Sequence, residues 1–147
     1  MIKKILATML FSLALVTFSS ASVSETVPQM PQIFANARFV YVTSYDGNQF
    51  SPEVLPEDRV AIGRVQDAIQ KWKKLTVVYR PQDADIILRV QSRPSEDVLA
   101  VYDAHKAFED GGPEQMYLWR VMGRAGLQKG EMPLLSQFEQ AWSKIAK

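Results

Sequence analysis

Apolar residues along this chain follow two rhythms. Over Arg38 to Tyr45, Phe39, Tyr41, Thr43 and Tyr45 alternate with Arg38, Val40, Val42 and Ser44. A period of two is that of a strand, whose side chains point to opposite faces in turn. Ala84 to Val90 is the most aliphatic internal run, and its β-branched residues suit a pleated, packed surface, so it is the expected central strand. Ile86, Leu88 and Val90 share the face expected to meet the core. Ile87, Arg89 and Gln91 share the other, which is mixed and so expected to be half wet. Turn chemistry closes both ends, with Arg80-Pro81-Gln82-Asp83 before and Ser92-Arg93-Pro94-Ser95 after. Leu75 to Arg80, Val98 to Asp103 and Gln115 to Arg124 read as three further strands. The last has Tyr117, Trp119 and Val121 on one side. It is expected to form a long hairpin with its predecessor across a connection, Ala104 to Glu114.

The second rhythm has spacings of three and four. Ala61, Ile62, Val65, Ala68, Ile69 and Trp72 predict an amphipathic helix over Asp58 to Lys74. Pro56-Glu57-Asp58 is helix-entry chemistry, and lysines crowd the last turn, where the dipole favours cations. Gly63 weakens such a helix by about 1 kcal/mol relative to alanine, and is expected to mark a close approach to the sheet. Leu134, Leu135, Phe138, Ala141, Trp142 and Ile145 predict a second helix over Pro133 to Ala146. Gly123 to Gly130 holds three glycines and is expected to be a loop. The order β-α-β-β-β-β-α, with one apolar face per element, predicts an α+β two-layer sandwich. Its sheet is expected to be mixed, mostly antiparallel and of four or five strands. Both helices are expected on one face, leaving the other open to water or a partner.

The amino terminus changes the picture. Lys3 and Lys4 precede an apolar run from Ile5 to Phe18, and Ser19-Ser20-Ala21 offers small residues where a signal peptidase reads. Residues 1–21 are therefore expected to be a signal peptide. The run is shorter than the roughly 20 apolar residues of a spanning helix, so no stable membrane span is expected after cleavage. Residues 22–36 have little pattern and read as a flexible lead-in, with Ile33 and Phe34 able to tack onto the edge of a single domain, 37–147.

Of 17 basic and 16 acidic residues, the leader holds two lysines and no acid, so the mature balance is near −1. That is not the basic footprint nucleic acid requires. The absence of cysteine excludes disulfides, thiolate metal sites, cysteine nucleophiles and an acylated N-terminal cysteine. Stability then rests on the core, for which Trp72, Trp119 and Trp142 provide large areas.

Chemistry-bearing patterns are sparse. Asp83 and Asp85 put two carboxylates on one side of an extended segment, an arrangement able to hold a divalent cation. The favoured reading is a turn residue followed by a strand-entry residue, with no further ligands recognisable. His105, the only histidine, stands two residues from Asp103 and could serve as a base; it also reads as a loop histidine near strand ends. No Gly-x-Ser-x-Gly elbow, phosphate loop or dinucleotide fingerprint occurs. Tyr41, Tyr45, Tyr79, Tyr102, Tyr117 and Trp119, with Arg38, Arg89 or Arg120, could stack sugars or peptides, or form ordinary cross-strand pairs. No catalytic, metal-binding or cofactor-binding residue is assigned on this basis.

Ala84-Asp85 opening an aliphatic strand, Val101-Tyr102-Asp103 ending the next, Leu118-Trp119-Arg120 on the return and an amphipathic C-terminal helix together form a pattern. Over Arg38 to Ala146 it resembles exported bacterial cell-envelope domains of unknown function, found among envelope lipoproteins. More distantly it resembles the N-terminal domain of TolB. The resemblance implies a periplasmic or secreted α+β module that binds another envelope protein or a cell-wall component, with no catalytic residues to carry over. A small secreted hydrolase using Asp103 and His105, or the Asp83 and Asp85 pair, is the alternative expectation. A stand-alone stability factor or inhibitor-like domain is a third.

Overall fold

The computed structural model describes residues 26–109, 116–128 and 130–147. The expected signal peptide and the Gly111-Gly112-Pro113 loop lie outside them. Five strands, β1 (Phe39–Ser44), β2 (Thr76–Val78), β3 (Ile86–Ser92), β4 (Asp97–Asp103) and β5 (Trp119–Gly123), form one open sheet in the order β2-β1-β3-β4-β5. The fold is the α+β sandwich the patterning predicts, and β3 is its central strand. β1 runs parallel to both β2 and β3, while β3–β4 and β4–β5 are antiparallel. The antiparallel share, expected to predominate, is thus half of the pairings. The parallel half follows from the long crossover between β1 and β2, which returns the chain to the same end of the sheet.

That crossover carries α1 (Pro56–Trp72); α2 (Ala104–Glu109) follows β4, and α3 (Pro133–Ser143) closes the chain. Pro56 begins α1 at the position where a missing N–H costs nothing. Lys73 ends it in the left-handed conformation, its N–H donating to the Ile69 carbonyl. Ala61, Ile62, Val65 and Ile69 from α1 meet Leu134, Leu135, Phe138, Ala141 and Trp142 from α3 in one buried cluster. The sheet contributes Val40, Val42, Ile86, Leu88, Val90, Leu99, Val101, Trp119 and Val121 to the same cluster. Both helices therefore lie on one sheet face. Phe138 is the hub: its ring meets Trp72 and Trp119 edge-on and lies tilted against Trp142, with centroids 6.0–6.2 Å apart.

Four expectations are corrected. The described part of the lead-in does not run loose over the surface: Met30, Phe34 and Ala35 are buried in the main core, and Pro28 accepts a 2.8 Å hydrogen bond from the Trp119 indole. Two apolar residues spaced by four, too few to show a period, are enough to anchor it. Gly63 marks no close approach, because a Cβ there would meet open space. The connection after β4 is not all loop but begins with α2. Met116 to Leu118 precede β5 rather than belong to it, and Tyr117 is exposed where a core-side neighbour of Trp119 was expected.

Two buried aspartates latch the layers. Asp58, in the first turn of α1, accepts from the Ser92 backbone N–H at 2.7 Å and from the Arg93 guanidinium at 2.8 Å. Asp97 accepts from Ser92 Oγ, from the Arg93 N–H and, at 2.8 Å, from the Leu127 N–H. It thereby joins the β3–β4 turn to the loop that leads into α3. In that loop Gly126 is packed so closely that an added Cβ would collide with the Leu134 side chain.

Three substitutions test this core by urea unfolding. Phe138→Ala should cost about 3–5 kcal/mol. Gly126→Ala should cost about 1–3 kcal/mol through overpacking, whereas Gly63→Ala should stabilise by up to about 1 kcal/mol. A Gly126→Ala protein as stable as the parent would show that Leu134 does not press on this loop.

Candidate functional site

The sequence's candidate residues divide between two places. The two aspartates of the first pair do not converge. Asp83 forms an exposed 2.7 Å ion pair with Arg80 inside its own turn. Asp85 instead turns toward β1, where Oδ2 accepts from the N–H groups of Arg38 and Phe39 at 2.8 and 3.0 Å. It extends the sheet's bonding past the end of β3, much as a backbone carbonyl would.

Asp85 does meet the second candidate pair. Its Oδ1 lies 3.6 Å from His105 Nε2, and Asp103 Oδ1 accepts from the His105 N–H at 3.0 Å, capping the start of α2. These three side chains and Phe34, Asn36 and Ala37 line a cleft of about 240 Å³. Both carboxylates are already occupied by backbone N–H groups, and the imidazole is 71% exposed. Solvent at that exposure weakens the His105–Asp85 pair. Among the described residues no cluster of three or more His, Cys, Asp or Glu could hold a metal ion.

The other place is the sheet face opposite α1 and α3. Register puts Thr43, Arg89, Ala100 and Arg120 in one row across β1, β3, β4 and β5. Two strand spacings, roughly 10 Å, thus separate the two arginine backbones, with the fully buried Ala100 between them. The small methyl at 100 leaves room for a long neighbour to lie flat. The Arg89 guanidinium sits 4.6 Å from the Tyr102 ring centre and 5.8 Å from that of Tyr45. Arg120 lies 4.3 Å over Tyr117. Such cation–ring contacts are worth about 0.5–1 kcal/mol where exposed and more where desolvated.

Tyr45 reaches this position through the turn after β1. There Ser44 N and Oγ both donate to the Gly47 carbonyl, and Gly47 has a φ of 136° that disfavours any side chain. The Tyr45 and Tyr102 hydroxyls share a hydrogen bond with 3.4 Å between oxygens. Burial, and then this bond, push the Tyr45 hydroxyl well above the usual phenol range. Under the arginines a second, smaller cluster of Ala84, Ile87, Ala100, Tyr102 and Ala104 supports the face, with Tyr41 and Val78 against it. Tyr45, Tyr117, Leu118 and Met122 remain about 39% exposed. This face is the candidate site: a firm floor bearing half-exposed rings and two planar cations.

The aromatic and arginine residues singled out in the sequence therefore separate by face. Tyr45, Tyr102, Tyr117, Arg89 and Arg120 gather here. Trp119 points into the main core, Tyr79 bonds to Gln70, and Arg38 belongs to the far end of β1. The sequence reading missed the role of Ala100. Its signal was its place in the row, which needs the register and not only the period.

No protein-family model and no curated protein sequence matches this chain. Among solved structures, the chain is similar to an uncharacterized lipoprotein B from Nitrosomonas europaea. The identity is 14% over 82% of this chain and 79% of that one, with a TM-score of 0.33. Among the described residues no helix is long and apolar enough to cross a membrane.

Two measurements check these assignments. The raised Tyr45 ionisation means the folded protein holds a proton that the unfolded chain releases at an ordinary phenol pKa of about 10. This stability is complete below that pH and is lost as pH rises beyond it, so Tyr45→Phe should flatten the alkaline limb of a stability–pH curve. Asp85→Ala leaves two β1 N–H groups without their acceptor and should cost about 1–3 kcal/mol, against less than about 0.5 kcal/mol for His105→Ala. Equal losses for the two, measured by thermal unfolding, would give the histidine contact the larger share.

Proposed function

We propose that this protein is an exported, non-catalytic binding module of the cell envelope. Its partner, another envelope protein or a cell-wall component, docks on the sheet face opposite the helices. The observation that carries the reading is the row of Arg89, Ala100 and Arg120 with tyrosine rings under both guanidinium groups. Planar cations and half-exposed rings on a rigid sheet offer stacking and charge-assisted hydrogen bonds at low entropic cost. Rigidity comes from below, because the small cluster under Arg89 is buried.

Export is supported by the sequence of the leader. The alternative hydrolase reading rests on the cleft with His105, and it is weaker because Asp85 and Asp103 are spent on strand and helix ends. General acid–base work asks for a carboxylate or imidazole free to exchange a proton with a substrate.

The test uses purified cell-wall sacculi in a sedimentation assay and site-specific crosslinking in intact cells from position 117. Charge reversal by Arg120→Glu, or loss of the ring by Tyr117→Ala, should weaken binding to the partner at least about tenfold while leaving the melting temperature unchanged. Binding that survives both changes would move the partner to another surface. Retention of sacculi would favour a cell-wall component, and a discrete crosslinked species would favour a protein.

A further inference from the structure

We infer that the cleft where β1 and β2 begin and α3 ends is a second binding site, for a phosphate ester. It is independent of the sheet face proposed above. The cleft has a volume of about 590 Å³, within the range of small-molecule sites. Three cations line it: Arg38 before β1, Lys74 before β2 and Lys147 beyond α3. No carboxylate side chain is among its lining residues.

The backbone fixes two of these cations. Thr76 N donates to the Arg38 carbonyl at 2.8 Å, so the start of β2 is stapled beside Arg38, and Lys74 stands two residues upstream. The third comes from the chain beyond α3, whose Trp142 is buried beneath the cleft. None of the three cations forms an ion pair among the described residues, whereas Arg80, Arg93 and His105 each do. Asp85, the carboxylate that touches this segment, accepts from the Arg38 and Phe39 N–H groups and lines the other cleft.

The helix dipole accounts for Lys74, just past the end of α1. It does not account for Arg38, which stands just before β1. Arg38 and Lys74, unopposed by any side-chain carboxylate in the lining, focus a positive potential in the recess. Asn36 and Thr76 add neutral donors to the wall. The Ser143 hydroxyl does not, since it donates to the Glu139 carbonyl at 2.7 Å. A guanidinium fork, two ammonium groups, an amide and a hydroxyl exceed what one carboxylate can accept. They match a phosphate dianion with three terminal oxygens. The remaining volume takes the esterified alcohol, either of a soluble phosphate ester or of a phospholipid headgroup.

The experiment titrates the folded protein with two phosphate monoesters, glycerol 3-phosphate and glucose 6-phosphate, following backbone amide NMR shifts. In parallel it floats the protein with vesicles of phosphatidylcholine alone or with added phosphatidic acid, whose headgroup is a phosphate monoester. Saturable shifts at Asn36 and Thr76 would establish a soluble phosphate ligand, and flotation only with the vesicles that contain phosphatidic acid would establish a headgroup. In either case Arg38→Ala and Lys74→Ala should each weaken binding about tenfold, and Arg124→Ala, an exposed cation elsewhere, should not. The inference is overturned if neither probe saturates below about 10 mM and neither vesicle binds, or if Arg124→Ala weakens binding as much as the cleft variants. All three side chains are exposed, so their removal leaves the core intact. The sheet-face variant Arg120→Glu should leave phosphate binding unchanged, which keeps the two sites separable.

Discussion

Two helices compete for one apolar sheet face, and the competition is settled at Phe138. Its ring is fully buried and touches a tryptophan from α1, one from β5 and one from α3 itself. In a cysteine-free domain this aromatic hub takes the place of a covalent staple. Large rings bury much area with few rotatable bonds, so they gain more on packing than they lose in side-chain entropy. The arrangement also dictates the free face. With both helices committed to Val40, Leu88 and Leu99, the opposite side of the sheet is left to Arg89, Arg120 and the tyrosines.

Around the hub, carboxylates serve as backbone acceptors. Asp58, Asp85 and Asp97 each take N–H groups at a place where strand bonding stops or a turn begins. Each is therefore structural, although the sequence offers only local readings: helix entry for Asp58, and strand entry or a cation ligand for Asp85. Asp58 shows why. As an acid in the first turn of a helix it has a sufficient local explanation, complementing the dipole, and nothing nearby in sequence announces Ser92 and Arg93 more than thirty residues away.

The fold was legible because its two rhythms are undisturbed. Ile86, Leu88 and Val90 on one strand, and Leu134 to Trp142 on one helix, assign both core faces without knowledge of contacts. Strand order and the parallel pairing of β1 were not legible, since period says which face is buried and nothing about which strand lies next. Phe34 was expected at the domain edge and lies in the core, but the packing of Met30 escaped for a related reason: two anchors in a stretch rich in proline and polar residues set up no periodicity. The candidate site was half legible. Tyrosine and arginine on strands could be named, but the grouping of Tyr45 and Tyr102 about Arg89 depends on register, on Gly47 and on an alanine whose significance is its small size.

The split between parallel and antiparallel halves has a consequence for how the chain reaches this state. β3, β4 and β5 are joined antiparallel to their sequence neighbours, and the turn 93–96 closes the first pair at once. β1 finds its partners only after α1 and the segment beyond it exist: Val40 lies against Val77 on one side and Ile86 on the other. Contacts between such distant residues demand loop closure before they return any stabilisation. The β1 pairings therefore carry a larger loop-closure cost than the antiparallel ones. β1 is flanked directly by Arg38 and Tyr45, so either proposed surface exists only where β1 has taken its place between β2 and β3.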